Sequence, residues 1–209
     1  PERADVHRWP ASQLVSKTAL ESSGITIDEV GPVDLYSCFP SAVEVQAREI
    51  GLPIDRDLTL TGGMTFGGGP FNNYAIQGAA AMVRKLRESP DPTFGLTSTV
   101  SGLLTKPAVT VWSNREPRTP FVSVDVSEQA EQATARRPVN PDLTGAGVVV
   151  GATVIPGRGG ELTTVALVEV DGIRTVVQSQ DLALGRTFMD ADPVGLPIII
   201  GDPGEFTLA

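Results

Sequence analysis

Around Ser113-Asn114-Arg115-Glu116-Pro117-Arg118 the texture of the chain changes, and this change limits the folds open to it. Before that polar stretch, helical and strand-like patterns alternate. After it, short apolar runs separated by turn residues dominate, and no long helical stripe recurs. Two regions of different periodicity imply two layer patterns, so the chain is expected to hold two domains, residues 1–118 and 119–209. The first reads as α/β and the second as all-β.

In the first region, Leu14, Val15, Ala19 and Leu20 fall on one helical side between Ala11 and Ser23, and Gly24 ends the pattern. Val33 to Tyr36 reads as a short strand. Ser41 and Glu44 have capping-box spacing, which predicts a helix from Ser41 to about Ile50 with Gly51 as its stop. A glycine-rich loop from Thr61 to Pro70 leads into a third helix capped by Asn72 or Asn73. Its apolar residues Ala75, Ile76, Ala79, Ala80, Ala81, Met82, Val83 and Leu86 surround the helix almost entirely, which predicts a helix sandwiched between sheets, with part of its cover supplied from outside these residues. Thr93–Val100 and Ala108–Trp112 read as strands about a Ser101-Gly102 turn.

In the second region the strand candidates are 121–126, 148–155, 162–170, 173–178 and 198–200. Hairpin signals stand at Gly157-Arg158-Gly159-Gly160 and Asp171-Gly172. Short strands joined by such turns predict a closed or partly open barrel, with an OB-like barrel as the leading form. Residues 129–135 read as a linker helix or a disordered segment.

Composition excludes several function classes. Cys38 and His7 are single, so an internal disulfide framework, a Cys-rich zinc site and a His-based metal cluster are all ruled out, and no metal is expected. A net charge of −9 opposes nucleic-acid phosphates and anionic membranes. Acidic residues also outnumber basic ones after residue 119, and aromatic stacking platforms are scarce there, so no nucleic-acid partner is expected. No apolar run approaches the ~20 residues of a membrane-spanning helix. No leader-like segment opens the chain, and a cytoplasmic protein is expected. The start at Pro1 reads as that of a piece of a longer protein.

Val33-Asp34-Leu35-Tyr36-Ser37-Cys38-Phe39-Pro40 resembles the strand-to-loop signature of sterol-carrier-type thiolases, usually His-Asp-Cys-Phe. Gly62-Gly63-Met64-Thr65-Phe66-Gly67-Gly68-Gly69-Pro70 resembles the same superfamily's Gly-Gly…Gly-His-Pro loop, again before an Ala-rich helix. Val100-Ser101-Gly102 lies where that superfamily turns between its last two strands, often as Cys-x-Gly. Together the three signatures cover roughly residues 10–112, and an added C-terminal barrel is the pattern of its thiolase-like proteins of type 1. The resemblance implies the C-terminal half of a thiolase fold, with the other half as its covering partner. It further implies an acetyl-CoA acetyltransferase relative in lipid or sterol metabolism, with coenzyme A or an acyl-CoA as ligand. Gly68, Gly69, Pro70, Ser101 and Gly102 then stand at the ligand-binding loops.

The departures from that pattern decide the functional expectation. The acyl-accepting cysteine belongs to the other half of the fold. The base that activates it stands at Gly69 here, the second acid/base cysteine at Val100, and the residue holding the oxyanion-binding water at Tyr36. Activating a thiol needs an adjacent base, and glycine has no side chain to be one. Losing an oxyanion donor typically costs ~10²–10³ in rate, and losing the base costs about as much again. Thiolysis is therefore not expected, and acyl-CoA binding is.

Three competing readings accompany it. Cys38 follows an apolar strand with no histidine beside it, and reads as an inert thiol rather than a nucleophile. Gly67–Gly69 before a helix start has the look of an anion cradle, but lacks the Lys and Ser/Thr of a phosphate-binding loop and reads as a tight turn. Tyr36 and Tyr74, the two tyrosines of the chain, both lie on the loops that resemble catalytic ones. They would suit a retro-aldolase, in which a tyrosine exchanges a proton with an alcohol, like certain thiolase-like aldolases that work with an OB-fold partner. The barrel itself could dock a partner protein.

Overall fold

The computed structural model describes residues 1–101, 104–202 and 204–209. It is a mixed α/β fold with two sheets, and it divides into two compact units. One comprises His7–Thr134. The other joins Pro1–Val6 to Ala135–Ala209.

In the first unit, helix α1 (Pro10–Ser22) is followed by strand β1 (Val30–Asp34) and helix α2 (Pro40–Ile50). Then come a four-residue helix α3 (Met64–Gly67), helix α4 (Asn73–Glu88), strands β2 (Phe94–Ser101) and β3 (Lys106–Ser113), and helix α5 (Ser127–Ala133). The sheet order is β1-β2-β3. β1 and β2 are parallel, and β2 and β3 antiparallel. Parallel neighbours need a long crossover, and residues 35–93 supply it. The apolar core joins Leu20, Ile25, Val33, Leu35, Ala47, Ile50, Leu58 and Leu96.

Several expectations change here. α2 begins at Pro40, with Phe39 as N-cap and no capping bond, so the Ser41/Glu44 box does not form. Proline at the first helical position, with its fixed φ and missing N–H, starts the helix ahead of Ser41. α4 buries one stripe only: Tyr74, Gly78, Ala81, Met82 and Leu86. Ile76 remains 67% exposed, so the all-round cover expected for this helix is not supplied by its own unit. Residues 121–126 form no strand. Phe121, Val122 and Val124 are exposed, because no sheet edge pairs with their backbone. The stretch after Arg118 instead packs back onto the first unit. The Arg118 guanidinium donates to Gly24 O and pairs with Glu29, and Thr119 Oγ1 donates to Ser22 O. The division expected at 118/119 therefore lies inside a unit that runs to Thr134.

In the second unit the strands are β4 (Gly145–Pro156), β5 (Leu162–Val170), β6 (Ile173–Ser179), β7 (Pro197–Ile200) and β8 (Phe206–Leu208). Helix α6 (Leu182–Asp190) lies between β6 and β7. The sheet order is β6-β5-β4-β7-β8, antiparallel throughout. The expected all-β character is corrected in one respect, since the unit carries a helix. Of the closed or partly open, OB-like barrel expected, no closed form is found among the described residues. β8 has three residues and no length for a second ladder. The two edges meet at one bridge, Gln178–Glu205. α6 was invisible to periodicity because it is short. Asp181 caps it by accepting from Leu184 N–H at 2.9 Å, and Gly185 lets it approach β5, where an added Cβ would lie 2.8 Å from Leu162.

Buried Arg174 ties residues 1–4 to this unit. It pairs with Glu169 at 2.9 Å and donates to the carbonyls of Arg3 at 2.6 Å and Ala4 at 2.8 Å. A guanidinium has five donors and needs partners when buried, and this clamp joins the backbone bonds of Ala4 to Ala135 and Arg137 to Glu2 in holding the N-terminal residues.

Candidate functional site

Beyond β1 the chain leaves the sheet as Leu35-Tyr36-Ser37-Cys38, and two other segments meet it there. Tyr36 N–H donates to Ser98 Oγ on β2 at 2.9 Å. Ser98 Oγ donates to Gln46 Oε1 of α2 at 2.5 Å, and Gln46 Nε2 donates to Tyr36 O at 2.7 Å. Gln46 and Ser98 are buried, so this ring of bonds fixes the backbone at Tyr36 without water. From the other side, Met64 N–H donates to Ser37 Oγ at 2.7 Å, and the Tyr74 ring stands edge-on to the Tyr36 ring with centroids 5.4 Å apart. The strand end, the entrance of the glycine loop and β2 at Ser98 therefore meet at one end of the sheet.

The chemistry-bearing residues differ sharply in surroundings. Tyr74 is buried, and its Oη lies 2.7 Å from Thr61 Oγ1 and 3.1 Å from Ser37 Oγ. Tyr36 is half-buried, and among the described residues its hydroxyl has no hydrogen-bond partner. Burial, then the proximity of Cys38 and Tyr74, pushes its pKa above the usual tyrosine value. Burial also pushes the Cys38 thiol up, against two weaker backbone hydrogen bonds, so it is held as a neutral thiol at neutral pH. Gly68 and Gly69 have φ of +80° and +59°, and an added Cβ at either would meet nothing within 4 Å. At Gly69 the loop thus presents bare backbone to open space. Gly67 is different, because a Cβ there would press on the Tyr74 ring at 3.2 Å. Pro70 is half-buried between Gly69 and exposed Phe71. Val100 is half-buried and pairs with Pro107, two residues beyond Ser98, and Ser101 ends β2 in solvent. Gly102 lies outside the described residues.

A buried carboxylate that sequence reasoning passed over organises the site. Asp34, 2% exposed at the end of β1, accepts four hydrogen bonds on Oδ1. They come from Thr59 Oγ1 at 2.9 Å, Leu60 N–H at 2.8 Å, Thr61 Oγ1 at 3.1 Å and Thr61 N–H at 3.3 Å. Its other oxygen faces Gly78 on α4. An acceptor this deep is satisfied because donors surround it, and these donors hold the entrance of the glycine loop against the sheet. The available signal was the acidic residue inside an apolar strand, together with Thr59 and Thr61. Their partnership spans 25 residues or more and is not periodic.

Among the described residues no group of three or more His, Cys, Asp or Glu side chains is placed to hold a metal. Nor is any helix among them long and apolar enough to cross a membrane.

No family model and no curated protein matches the chain. Over its whole length it is similar to the crystal structure of a monomeric SCP2-thiolase like protein type 1 from Mycobacterium smegmatis, with a TM-score of 0.88 and 32% identity. The chain spans 47% of that chain, about half its length. The fold is thiolase-like.

Proposed function

We propose that this chain serves acyl-CoA recognition within a thiolase-like protein that does not carry out thiolysis. The observation that carries this reading is the composition of the shared sheet end. Backbone alone stands at Gly69, an apolar side chain at Val100, and a protonated thiol at Cys38. Thiolysis needs a base and a second sulfur at the first two of these positions. What remains is a rigid backbone frame, a Tyr36 hydroxyl with no hydrogen-bond partner among the described residues, and the exposed rings of Phe39, Phe66 and Phe71. These features suit holding a thioester better than cleaving one. Coenzyme A or an acyl-CoA is the proposed ligand. The other half of a thiolase-like fold is the proposed cover for the outer side of α4, where Ile76 is left exposed. The curled sheet of the second unit, with its edges bridged at Gln178–Glu205, supports reading it as a partly open relative of an OB-like barrel.

Equilibrium dialysis with acetyl-CoA and acetoacetyl-CoA tests the reading. Saturable binding is expected, and none up to about 1 mM, a free energy of only about 4 kcal/mol, would overturn it.

The edge-on tyrosine pair favours a second reading, cleavage of a carbon–carbon bond in a 3-hydroxyacyl thioester with tyrosine-assisted proton transfer. Such chemistry needs no thiol nucleophile and is compatible with Gly69 and Val100.

A further inference from the structure

The hydroxyls behind Tyr36 are arranged in a line, and the hydrogen-bond inventory gives the line a direction. Thr61 Oγ1 donates to Asp34 Oδ1 at 3.1 Å and also stands 3.2 Å from Thr59 Oγ1, which itself donates to Asp34 at 2.9 Å. With the single Thr61 proton on the carboxylate, Thr61 Oγ1 accepts from Tyr74 Oη at 2.7 Å. Tyr74 has then used its own proton, and Ser37 Oγ donates to it at 3.1 Å. Ser37 Oγ in turn accepts from Met64 N–H at 2.7 Å. Every hydroxyl points its proton inward, toward one carboxylate that is 2% exposed, through a phenol that is 1% exposed. The outer end is Ser37, half-buried beside Tyr36.

A line with this polarity carries a proton in one direction at rest. We propose that Ser37, Tyr74, Thr61 and Asp34 form a proton relay in which Ser37 takes a proton at the site and Asp34 stores it. Ser37 is the catalytic residue; Tyr74, Thr61 and Asp34 act through it. The relay rests on the second reading above, cleavage of a 3-hydroxyacyl thioester. The substrate's 3-hydroxyl gives its proton to Ser37 Oγ. The Ser37 proton passes to Tyr74 Oη, the Tyr74 proton to Thr61 Oγ1, and the Thr61 proton to Asp34, which becomes neutral. The electron pair of the O–H bond forms the new carbonyl, and the pair of the broken carbon–carbon bond leaves as a thioester enolate. The stored proton returns along the same four atoms to the enolate carbon. The products are an aldehyde or ketone and a shortened acyl thioester, with charge balanced at every step. Solvent is not required for the transfer, because the two deepest members of the line are closed to it.

The test uses the full-length protein and 3-hydroxybutyryl-CoA, with acetaldehyde and acetyl-CoA release measured alongside calorimetric binding of the same thioester. Thr61→Val removes one hydroxyl while keeping the side-chain shape, and Thr61→Ser restores it. Turnover is expected to fall about 10²-fold or more in Thr61→Val, with KM little changed, to be rescued in Thr61→Ser, and to show a normal solvent deuterium isotope effect lost in Thr61→Val. Tryptophan fluorescence checks that both variants fold. Turnover in Thr61→Val equal to wild type would overturn the relay and leave carbon–carbon cleavage standing. Binding without any wild-type turnover would overturn the relay and the cleavage reading together, and leave acyl-CoA recognition standing.

Discussion

Gly78 lies in the interior of α4, where alanine is intrinsically favoured over glycine by about 1 kcal/mol. Propensity alone therefore makes Gly78→Ala a stabilising change. The site reverses the sign. An alanine Cβ at this position would lie 2.5 Å from Asp34 Oδ2, against about 3.3 Å for a close carbon–oxygen contact. The carboxylate cannot swing away cheaply, because Oδ1 is held at 2.8 Å by Leu60 N–H and at 2.9 Å by Thr59 Oγ1. Relief requires shifting α4 or stretching those bonds, which costs about 1–3 kcal/mol for overpacking and more for each weakened charge-assisted bond. Subtracting the propensity gain leaves a net loss of about 2 kcal/mol. In an Asp34→Ser background the second oxygen is gone, and Gly78→Ala should recover most of its gain of about 1 kcal/mol. The coupling between the two positions is then about 3 kcal/mol, at the upper end for contacting residues. Chemical denaturation followed by tryptophan fluorescence measures it cleanly, since Trp9 and Trp112 both belong to the His7–Thr134 unit. A stabilising Gly78→Ala in the wild-type background would refute the account of a fixed buried carboxylate.

Other perturbations have equally definite outcomes. Glu49, whose side chain is fully buried, is held below the usual carboxylate pKa by the Arg8 guanidinium at 2.7 Å, and Trp9 N–H adds a bond of 2.7 Å. Its stabilisation is present above the ordinary carboxylate pKa of about 4.3 and lost as pH falls through the lower folded value. Glu49→Gln should cost about 2 kcal/mol at neutral pH and flatten the acid limb of a stability–pH curve; an unchanged limb would contradict this. Arg174→Met should cost about 2–4 kcal/mol in the second unit and speed amide exchange and proteolysis at residues 1–4, and unchanged exchange there would contradict the clamp. Cys38 should react with iodoacetamide more slowly than free cysteine at neutral pH and accelerate only as pH rises past the ordinary thiol range. Fast alkylation at neutral pH would restore it as a candidate nucleophile.

Patterns that are local in sequence were legible, and those made by distant partners were not. The helices Pro10–Ser22, Pro40–Ile50 and Asn73–Glu88, the strands Phe94–Ser101 and Lys106–Ser113 and the hairpin at Asp171-Gly172 follow from periodicity, glycine stops and left-handed turn residues. Residues 121–126 alternate like a strand, yet alternation states only which side could be buried, and no edge is there to pair with them. The clustering of Tyr36, the glycine loop and the end of β2 was readable only through the resemblance of the three segments to one family. Asp34 and its donors were hidden because a buried carboxylate is recognised by what surrounds it, and its partners lie at Thr59 to Thr61. The one-sided burial of α4 agrees with an apolar surface whose cover comes in part from outside these residues, because such a surface states a need for cover and not which part of the molecule meets it.

As proposed above, this thiolase-like frame holds an acyl thioester without passing its acyl group to a thiol. Isothermal calorimetry of the full-length protein, with acetoacetyl-CoA injected in the presence of free coenzyme A, reads both parts in one trace. The account predicts a saturable binding heat that returns to baseline after each injection. Sustained thermal power from turnover, or no binding heat at all, would contradict it.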